Sequence, residues 1–285
     1  MSISSDAKRG TPFDFPSSNL FLLAAIDAVL EAGEIQLARL GTGFRVEAKG
    51  KGDIVTEVDF EVESMFRAMM VQRFPDHRVI AEETVETRPT SGATHCWLFD
   101  PIDGTVNYAR GLPFFCASLA LEVHTTIEVA AVYDPFRREL FAAERGGGAW
   151  LNGRPLYVSN VERLEDAILA TGFPHGAVTR VSAMEHLLGE CAVRARAVRR
   201  LGSAALDLCY VASGRMDGFW DQHLKAWDTA AGVLIVKEAG GVVTRLDGRP
   251  YSAYEGNVLA SNGHIHEELT DVIRQVVGAG GRSEE

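Results

Sequence analysis

The sequence predicts a layered α/β or α+β protein in which sheets are sandwiched between helices. Three observations predict it: two helical stretches at the start, a run of short apolar strands in the middle, and an alternation of helix and strand in the second half. With 285 residues, 46% hydrophobic and 24% charged, the chain has the material for a large packed core. Its length suits one large domain or two intimately packed subdomains. We read two: an α+β subdomain over residues 19–158 and an α/β subdomain over 159–277, between loose tails at 1–18 and 278–285.

The elements follow in order. From Leu20 to Leu40 the apolar positions Leu22, Ile26, Val29, Leu30, Gly33 and Leu37 step by threes and fours, marking a core-facing helix. Val62, Met65, Phe66 and Met69 repeat the spacing, with acids in the first turn and Phe74-Pro75 as a stop. Short apolar runs at Val79-Ile80, Cys96–Phe99, Phe114–Val123, Ile127–Tyr133 and Glu139–Glu144 read as an antiparallel meander. Asn152-Gly153 is a strong hairpin turn signal, because both central residues of that turn need positive φ. Beyond it we expect a strand at Ile168–Thr171 and helices near Thr179–Ala192, Ser203–Ser213 and Asp228–Ala239. Strands at Gly218–Trp220 and Val242–Arg245 and a last helix at His266–Val277 complete the set.

The charge balance excludes some functions. Lys and Arg number 28 against 39 Asp and Glu, for a net charge of −11. That surplus of acids disfavours nucleic acid as a partner, although Arg194 to Arg200 form a local basic strip. The cysteines, Cys96, Cys116, Cys191 and Cys209, form no Cys-x-x-Cys pair and read as buried hydrophobes in a reducing compartment, with neither zinc site nor disulfide framework. The apolar run Leu20–Ile26 is cut by Asp27 and Glu31, too short for a membrane span or signal segment, so a cytoplasmic protein is expected.

The most informative stretch runs from the apolar strand at Cys96 into Asp100-Pro-Ile-Asp103-Gly-Thr105. Two acids and a hydroxyl emerge at a strand end, where open α/β sheets place ligands, and Gly104 allows close backbone approach. Oxygen-only ligands of this kind suit Mg²⁺. Asp-Pro and Asp-Gly also fit ordinary turn chemistry. Glu82-Glu83, after the Val79-Ile80 strand, and Asp228, at the start of a helix, are further acids, each with a plainer role as solvated charge or N-cap. Thr56-Glu-Val-Asp59 has the form of a helix-capping signature, and Lys49-Gly-Lys51-Gly that of a flexible turn with exposed lysines. Gly104 and Thr105 should open a short helix whose free N–H groups and dipole suit an anion.

Taken together, Lys49 to Asp59, Ala81-Glu-Glu-Thr84, Asp100-Pro-Ile-Asp-Gly-Thr-Val-Asn-Tyr108, Gly202-Ser-Ala-Ala205 and Trp227-Asp-Thr-Ala-Ala-Gly232 resemble the inositol monophosphatase family of Mg²⁺-dependent, lithium-sensitive sugar-phosphate phosphatases. The resemblance covers roughly residues 19–277. It implies an αβαβα sandwich of the sugar-phosphatase type, a homodimer, and two or three Mg²⁺ ions per active site. It implies metal ligation by Glu82, Asp100, the backbone carbonyl of Ile102, Asp103 and Asp228, with Asp59 and Thr105 polarising or positioning the attacking water and Glu82 counted with them as catalytic. Substrate contacts implied in the same way are Asp103, Gly104, Thr105, Gly202, Ser203, Ala204, Asp221 and Asp228. Lys49 bears on metal or phosphate affinity by the same resemblance, with Lys51 the competing choice.

Asp221 stands where the family usually has Glu, Val106 where Thr or Lys is common, and Tyr108 where Phe is common. His223 and Lys225 share the loop of Asp221. The expected reaction is hydrolysis of a small polyol phosphomonoester, inositol 1-phosphate first. Histidinol phosphate, fructose 1,6-bisphosphate and adenosine 3′,5′-bisphosphate are alternatives. A reading from another class is a transcription-associated binding protein using Arg194, Arg196, Arg199 and Arg200. No P-loop or His-Glu-x-x-His motif is present, Gly146-Gly-Gly148 lacks a following helix, and His264 with His266 forms only a weak His-x-His pair.

Overall fold

Asn19 accepts hydrogen bonds from the N–H groups of Phe21 and Leu22 and so launches α1 (Leu20–Arg39). The computed structural model describes residues 13, 15–50, 53–84, 93–172 and 181–280. After α1 come strands β1 (Val46–Gly50) and β2 (Asp53–Thr56), helix α2 (Glu57–Arg73), strands β3 (Arg78–Ala81) and β4 (His95–Asp103), and the short helix α3 (Thr105–Ala109). The meander follows as β5 (Cys116–Val123), β6 (Thr126–Asp134), β7 (Glu139–Glu144), β8 (Gly148–Leu151) and β9 (Arg154–Pro155). Then come β10 (Ile168–Thr171), α4 (Val181–Arg194), β11 (Ala197–Arg199), α5 (Ala204–Ala212), β12 (Gly218–Gln222) and α6 (Ala226–Glu238). Strands β13 (Val242–Thr244) and β14 (Asn257–Ser261) and helix α7 (His266–Gly280) end the described chain.

A seven-stranded sheet runs β3-β4-β5-β6-β7-β8-β9, and a five-stranded sheet runs β11-β10-β12-β14-β13. Helices α1 and α2 pack on the outer face of the larger sheet, while α5 and α6 fill the space between the two sheets. The far face of the smaller sheet is covered by α4 and α7. The result is five layers, αβαβα, as expected. Every residue of α6 from Thr229 to Val236 is buried, the pattern of a helix with no solvent face.

Several sequence expectations need correction. Strand β3 pairs with β4 in parallel, so only β4 to β9 form an antiparallel meander. A parallel neighbour requires a long return connection, and the chain between Ala81 and His95 supplies one. The Lys49 segment is not a plain flexible turn, because Lys49 lies in β1 of a hairpin with β2. Lys51 and Gly52 lie outside the described residues. Strands β11 and β14 went unforeseen, being short runs between polar neighbours.

The expected amino-terminal tail lies mostly outside the described residues, but its end is docked: Phe15 meets Trp150 edge-on at 6.5 Å, and Ser17 bonds Glu144 at 2.7 Å. At the other end α7 continues through Gly280, and residues 281–285 lie outside the described set. The turn at Asn152-Gly153 does take positive φ at both residues, 52° and 78°.

Helices α5 and α6 approach so closely that a Cβ added at Gly232 would lie 2.6 Å from Leu208 Cβ. That atom is fixed to the α5 backbone and cannot rotate aside. Overpacking of this kind costs about 1–3 kcal/mol, more than the ~1 kcal/mol that Ala gains over Gly inside a helix. Gly232→Ala is therefore expected to lower the unfolding free energy by about 1 kcal/mol or more, read from the urea midpoint at unchanged slope.

Candidate active site

The Asp100-Pro-Ile-Asp103 segment does not end its strand at the proline. Strand β4 continues through Asp103, but its register slips: Asp100 faces Ser118 on β5 and Asp103 faces Cys116. Three steps along β4 match two along β5, which defines a β-bulge. In a regular strand residues three apart point to opposite faces. The extra residue brings both acids to one side, where both line the same cavity. Asp100 Oδ1 accepts from the Ile102 N–H at 3.0 Å, and the Ile102 carbonyl accepts from Thr105 Oγ1 at 2.9 Å. Gly104, at φ 98°, makes the turn into α3, and a Cβ there would meet the Phe114 carbonyl oxygen at 2.9 Å.

That cavity has a volume of about 1010 Å³. Lys49, Glu82, Asp100, Ile102, Asp103, Gly104, Thr105, Gly202, Ser203, Ala204, Asp221 and Asp228 all line it, although they come from five separate stretches of chain. Asp59 is fully buried and does not line the cavity, but it stands close enough to Glu82 and Lys49 to feel both charges. Of the two lysines weighed from the sequence, Lys49 lines the cavity, and Lys51 lies outside the described residues.

Asp59 and Asp228 are presented by one device. Each is the third residue of its helix and returns one oxygen to the backbone N–H of the residue before the helix: Thr56 N–H to Asp59 Oδ2 at 2.8 Å, Lys225 N–H to Asp228 Oδ2 at 2.6 Å. Asp228 is thus not itself the N-cap, as expected from sequence, because α6 begins two residues earlier with Lys225 in that place. Asp59 Oδ1 is buried with no partner among the described residues.

The Gly202-Ser-Ala-Ala loop holds Asp103. Ser203 Oγ donates to Asp103 Oδ2 at 2.7 Å while also capping α5, and the Ala205 N–H donates to the same oxygen at 2.6 Å. Glu82 and Glu83 are not a solvated pair: the Lys49 ammonium reaches both, at 2.9 Å and 2.6 Å, and the Glu83 N–H is held by Glu63 Oε2 at 2.9 Å.

Crowding sets the electrostatics. Burial, then the charges of Glu82, Asp103 and Asp228, push the Asp100 carboxyl well above its usual range, and Asp228 rises well above it in the same way. Burial pushes Asp59 and Asp103 up to about 6 against the hydrogen bonds that each accepts, and Asp221 up to about 7. Burial lowers Lys49, but the bonds and charges of Glu83 and Glu82 outweigh it and hold the ammonium above its usual range. A dication would reverse this pattern by favouring every ionised carboxylate. Among the described residues no three acids, histidines or cysteines meet around one point as placed. Glu82 is drawn to Lys49, and Asp103 to Ser203 and Ala205. The donor chemistry nonetheless fits Mg²⁺: carboxylate and carbonyl oxygens only, with room for water.

Sequence reasoning missed the residues that brace this site. Gln36 Nε2 donates to the Pro101 carbonyl at 2.7 Å, and Tyr108 Oη to the Gln36 carbonyl at 2.8 Å, clamping the bulge from below. Asn107 Nδ2 ties α3 to the Phe114 and Leu201 carbonyls, each at 2.8 Å. A glutamine inside the apolar stripe of α1 was a readable signal for the first of these. Arg200 and Asp207 also line the cavity. His266, by contrast, is occupied by Thr244 and Ser261, at 3.0 Å and 2.9 Å, and serves packing at the start of α7.

Comparison with known proteins bears on the family and the fold. A curated relative from Synechocystis, described as inositol-1-monophosphatase, is 40% identical over 257 residues, covering 89% of this chain and 88% of that one. The Escherichia coli K12 protein described as Nus factor SuhB is 41% identical over 265 residues, covering 88% and 97%. The crystal structure of extragenic suppressor protein suhB from Bartonella henselae superposes with a TM-score of 0.86 at 36% identity, covering 90% of this chain and 98% of that one. The inositol monophosphatase family model matches residues 19–278. On these grounds the chain belongs to the inositol monophosphatase family.

Proposed function

We propose that this chain hydrolyses a small polyol phosphomonoester, inositol 1-phosphate foremost, with Mg²⁺ as cofactor. The observation that carries the reading is the meeting of Glu82, Asp100, Asp103 and Asp228 in one cavity that also contains a carboxyl suited to sugar hydroxyls, Asp221. Glu82, Asp100, the Ile102 carbonyl, Asp103 and Asp228 would hold two or three ions. Bound there, Mg²⁺ supplies Lewis acidity, lowering the pKa of water and neutralising phosphate oxygens.

The protein's own groups divide the remaining work. Thr105 Oγ1 gives its proton to the Ile102 carbonyl, which leaves its lone pairs to accept from the attacking water. Asp59, behind the cavity wall with one oxygen fixed and the other without a partner among the described residues, helps to polarise that water through its charge rather than by contact. The N–H groups at Gly104 and Thr105 face the phosphate. Gly202, Ser203, Ala204 and Asp221 contact the polyol, and Ser203 also keeps Asp103 in place. Lys49 tunes the charge of the Glu82 side of the cavity.

We propose a homodimer as the working state, with exposed Leu112 and Phe136 contributing to its apolar face. A cytoplasmic location is part of the same reading. No helix among the described residues is long and apolar enough to cross a membrane. The transcription-associated reading gains nothing from the basic strip: Arg194 bonds Glu190 at 2.8 Å, Arg196 bonds Asp166 at 2.5 Å, and Arg200 lines the cavity. Histidinol phosphate, fructose 1,6-bisphosphate and adenosine 3′,5′-bisphosphate are the alternative substrates, and assaying a panel of phosphomonoesters side by side separates them from inositol 1-phosphate.

Three outcomes are expected. Asp103→Asn should cut phosphate release from inositol 1-phosphate by about a hundredfold or more, and chelation should stop the wild type until Mg²⁺ is restored; near wild-type turnover in the variant would defeat the assignment. The metal-free protein should melt at a lower temperature at pH 8 than at pH 5.5. Asp59, Asp103, Glu83 and Asp221 bind protons more tightly folded than unfolded, their folded values lying at about 6 to 7. Their contribution is complete below the unfolded carboxylate value and lost as pH rises through 6 to 7, and Mg²⁺ should recover more stability at pH 8. Sedimentation of the wild type should give twice the chain mass, and Leu112→Glu with Phe136→Glu should shift it toward the monomer.

A further inference from the structure

Among the described residues, the buried acids Asp134 and Asp217 are matched with donors at both carboxylate oxygens. Asp134 receives the Arg137 N–H at 2.9 Å and its guanidinium at 2.8 Å, and Asp217 receives Ser159 at 2.5 Å and the Ile168 N–H at 2.7 Å. Asp207 is different. It lies in the first turn of α5, is 2% exposed, and its Oδ1 has no hydrogen-bond partner among the described residues. The charges acting on it come from Asp103 and Asp221, both acids, so its surroundings repel rather than compensate it. An unmatched buried carboxyl is costly, and its retention calls for a partner outside the folded chain.

The cavity wall shows where that partner sits. Asp207 lines the cavity together with Asp221 and Gly172. Gly172 follows directly after β10 and has no side chain, and a Cβ there would collide with Asp221 Oδ2. The bare glycine is what lets the shortened acid at 221 lie against the wall. We propose that Asp207 is a specificity-determining residue, hydrogen-bonding a hydroxyl of the substrate beside Asp221. The inference rests on the phosphatase reading and adds to it a polyol with at least two hydroxyls bound by carboxyls. A hydroxyl suits Asp207 in either protonation state, since it donates to a carboxylate and both donates to and accepts from a carboxylic acid.

The test compares Asp207→Leu and Asp207→Asn with the wild type, all loaded with Mg²⁺, on inositol 1-phosphate and on phenyl phosphate, which has no hydroxyl to offer. The ratio of kcat/KM values, inositol 1-phosphate over phenyl phosphate, should fall about tenfold or more in Asp207→Leu, mostly through KM, and less in Asp207→Asn. In parallel, myo-inositol should raise the melting temperature of the wild type and not of Asp207→Leu. The metal-free Asp207→Leu protein should melt no lower than the wild type, because an unmatched carboxyl has been removed. An unchanged ratio, or equal losses on both substrates with a lowered melting temperature, would overturn the assignment and make Asp207 structural. A wild type that hydrolyses neither ester would instead overturn the phosphatase reading, and this inference with it.

Discussion

Like charges pressed together out of water are the constraint around which this molecule is organised. Asp100, Asp103, Asp228 and Glu82 surround one cavity, and each raises the cost of ionising its neighbours. The fold tolerates them by tethering oxygens to fixed donors, mostly backbone N–H groups: Ile102 for Asp100, Ala205 with Ser203 for Asp103, Lys225 for Asp228, and the Lys49 side chain for Glu82. Positions are thereby set in advance of any ligand, so that binding does not have to order long side chains.

The five layers make this tethering possible. The bulge in β4 turns two acids to one side, and the helices between the sheets bring their first turns to the same place. Because α6 is enclosed by both sheets, with Gly232 pressed against Leu208, Asp228 rides on one of the most enclosed elements of the protein. Gln36 performs a similar service from the other side, fastening α1 to the turn at Pro101. The clustered carboxylates are therefore carried by the interior, while Lys49 and the 222–225 loop of the cavity wall are more exposed.

Much of this was legible in the residues. Helical spacing marked α1 and α2, the apolar runs marked β4 to β7, and Asn152-Gly153 marked its hairpin, because each has a local physical cause. The cavity acids were legible from the order of their segments. What the chain alone hid were features that exist only through distant pairing. The parallel joining of β3, the short strands β11 and β14, and the hairpin carrying Lys49 depend on neighbours far along the chain. Asp228 was placed at the helix boundary because an acid before a small-residue run looks like a cap, whereas the true start is Lys225, whose side chain carries no capping signal. Asp207 was hidden because its lack of a partner is visible only in three dimensions.

The grip of Ser203 and Ala205 on Asp103 spans a hundred residues of chain or more. During synthesis, the stretch holding Glu82, Asp100 and Asp103 leaves the ribosome well before the loop and helices that steady and complete it. A nascent chain at that stage carries the Ile102 and Lys49 donors for Asp100 and Glu82 but not the Ser203 and Ala205 donors that hold Asp103. The full set of tethers on the cavity acids is therefore available only once the stretch from Ser203 to Asp228 has been made.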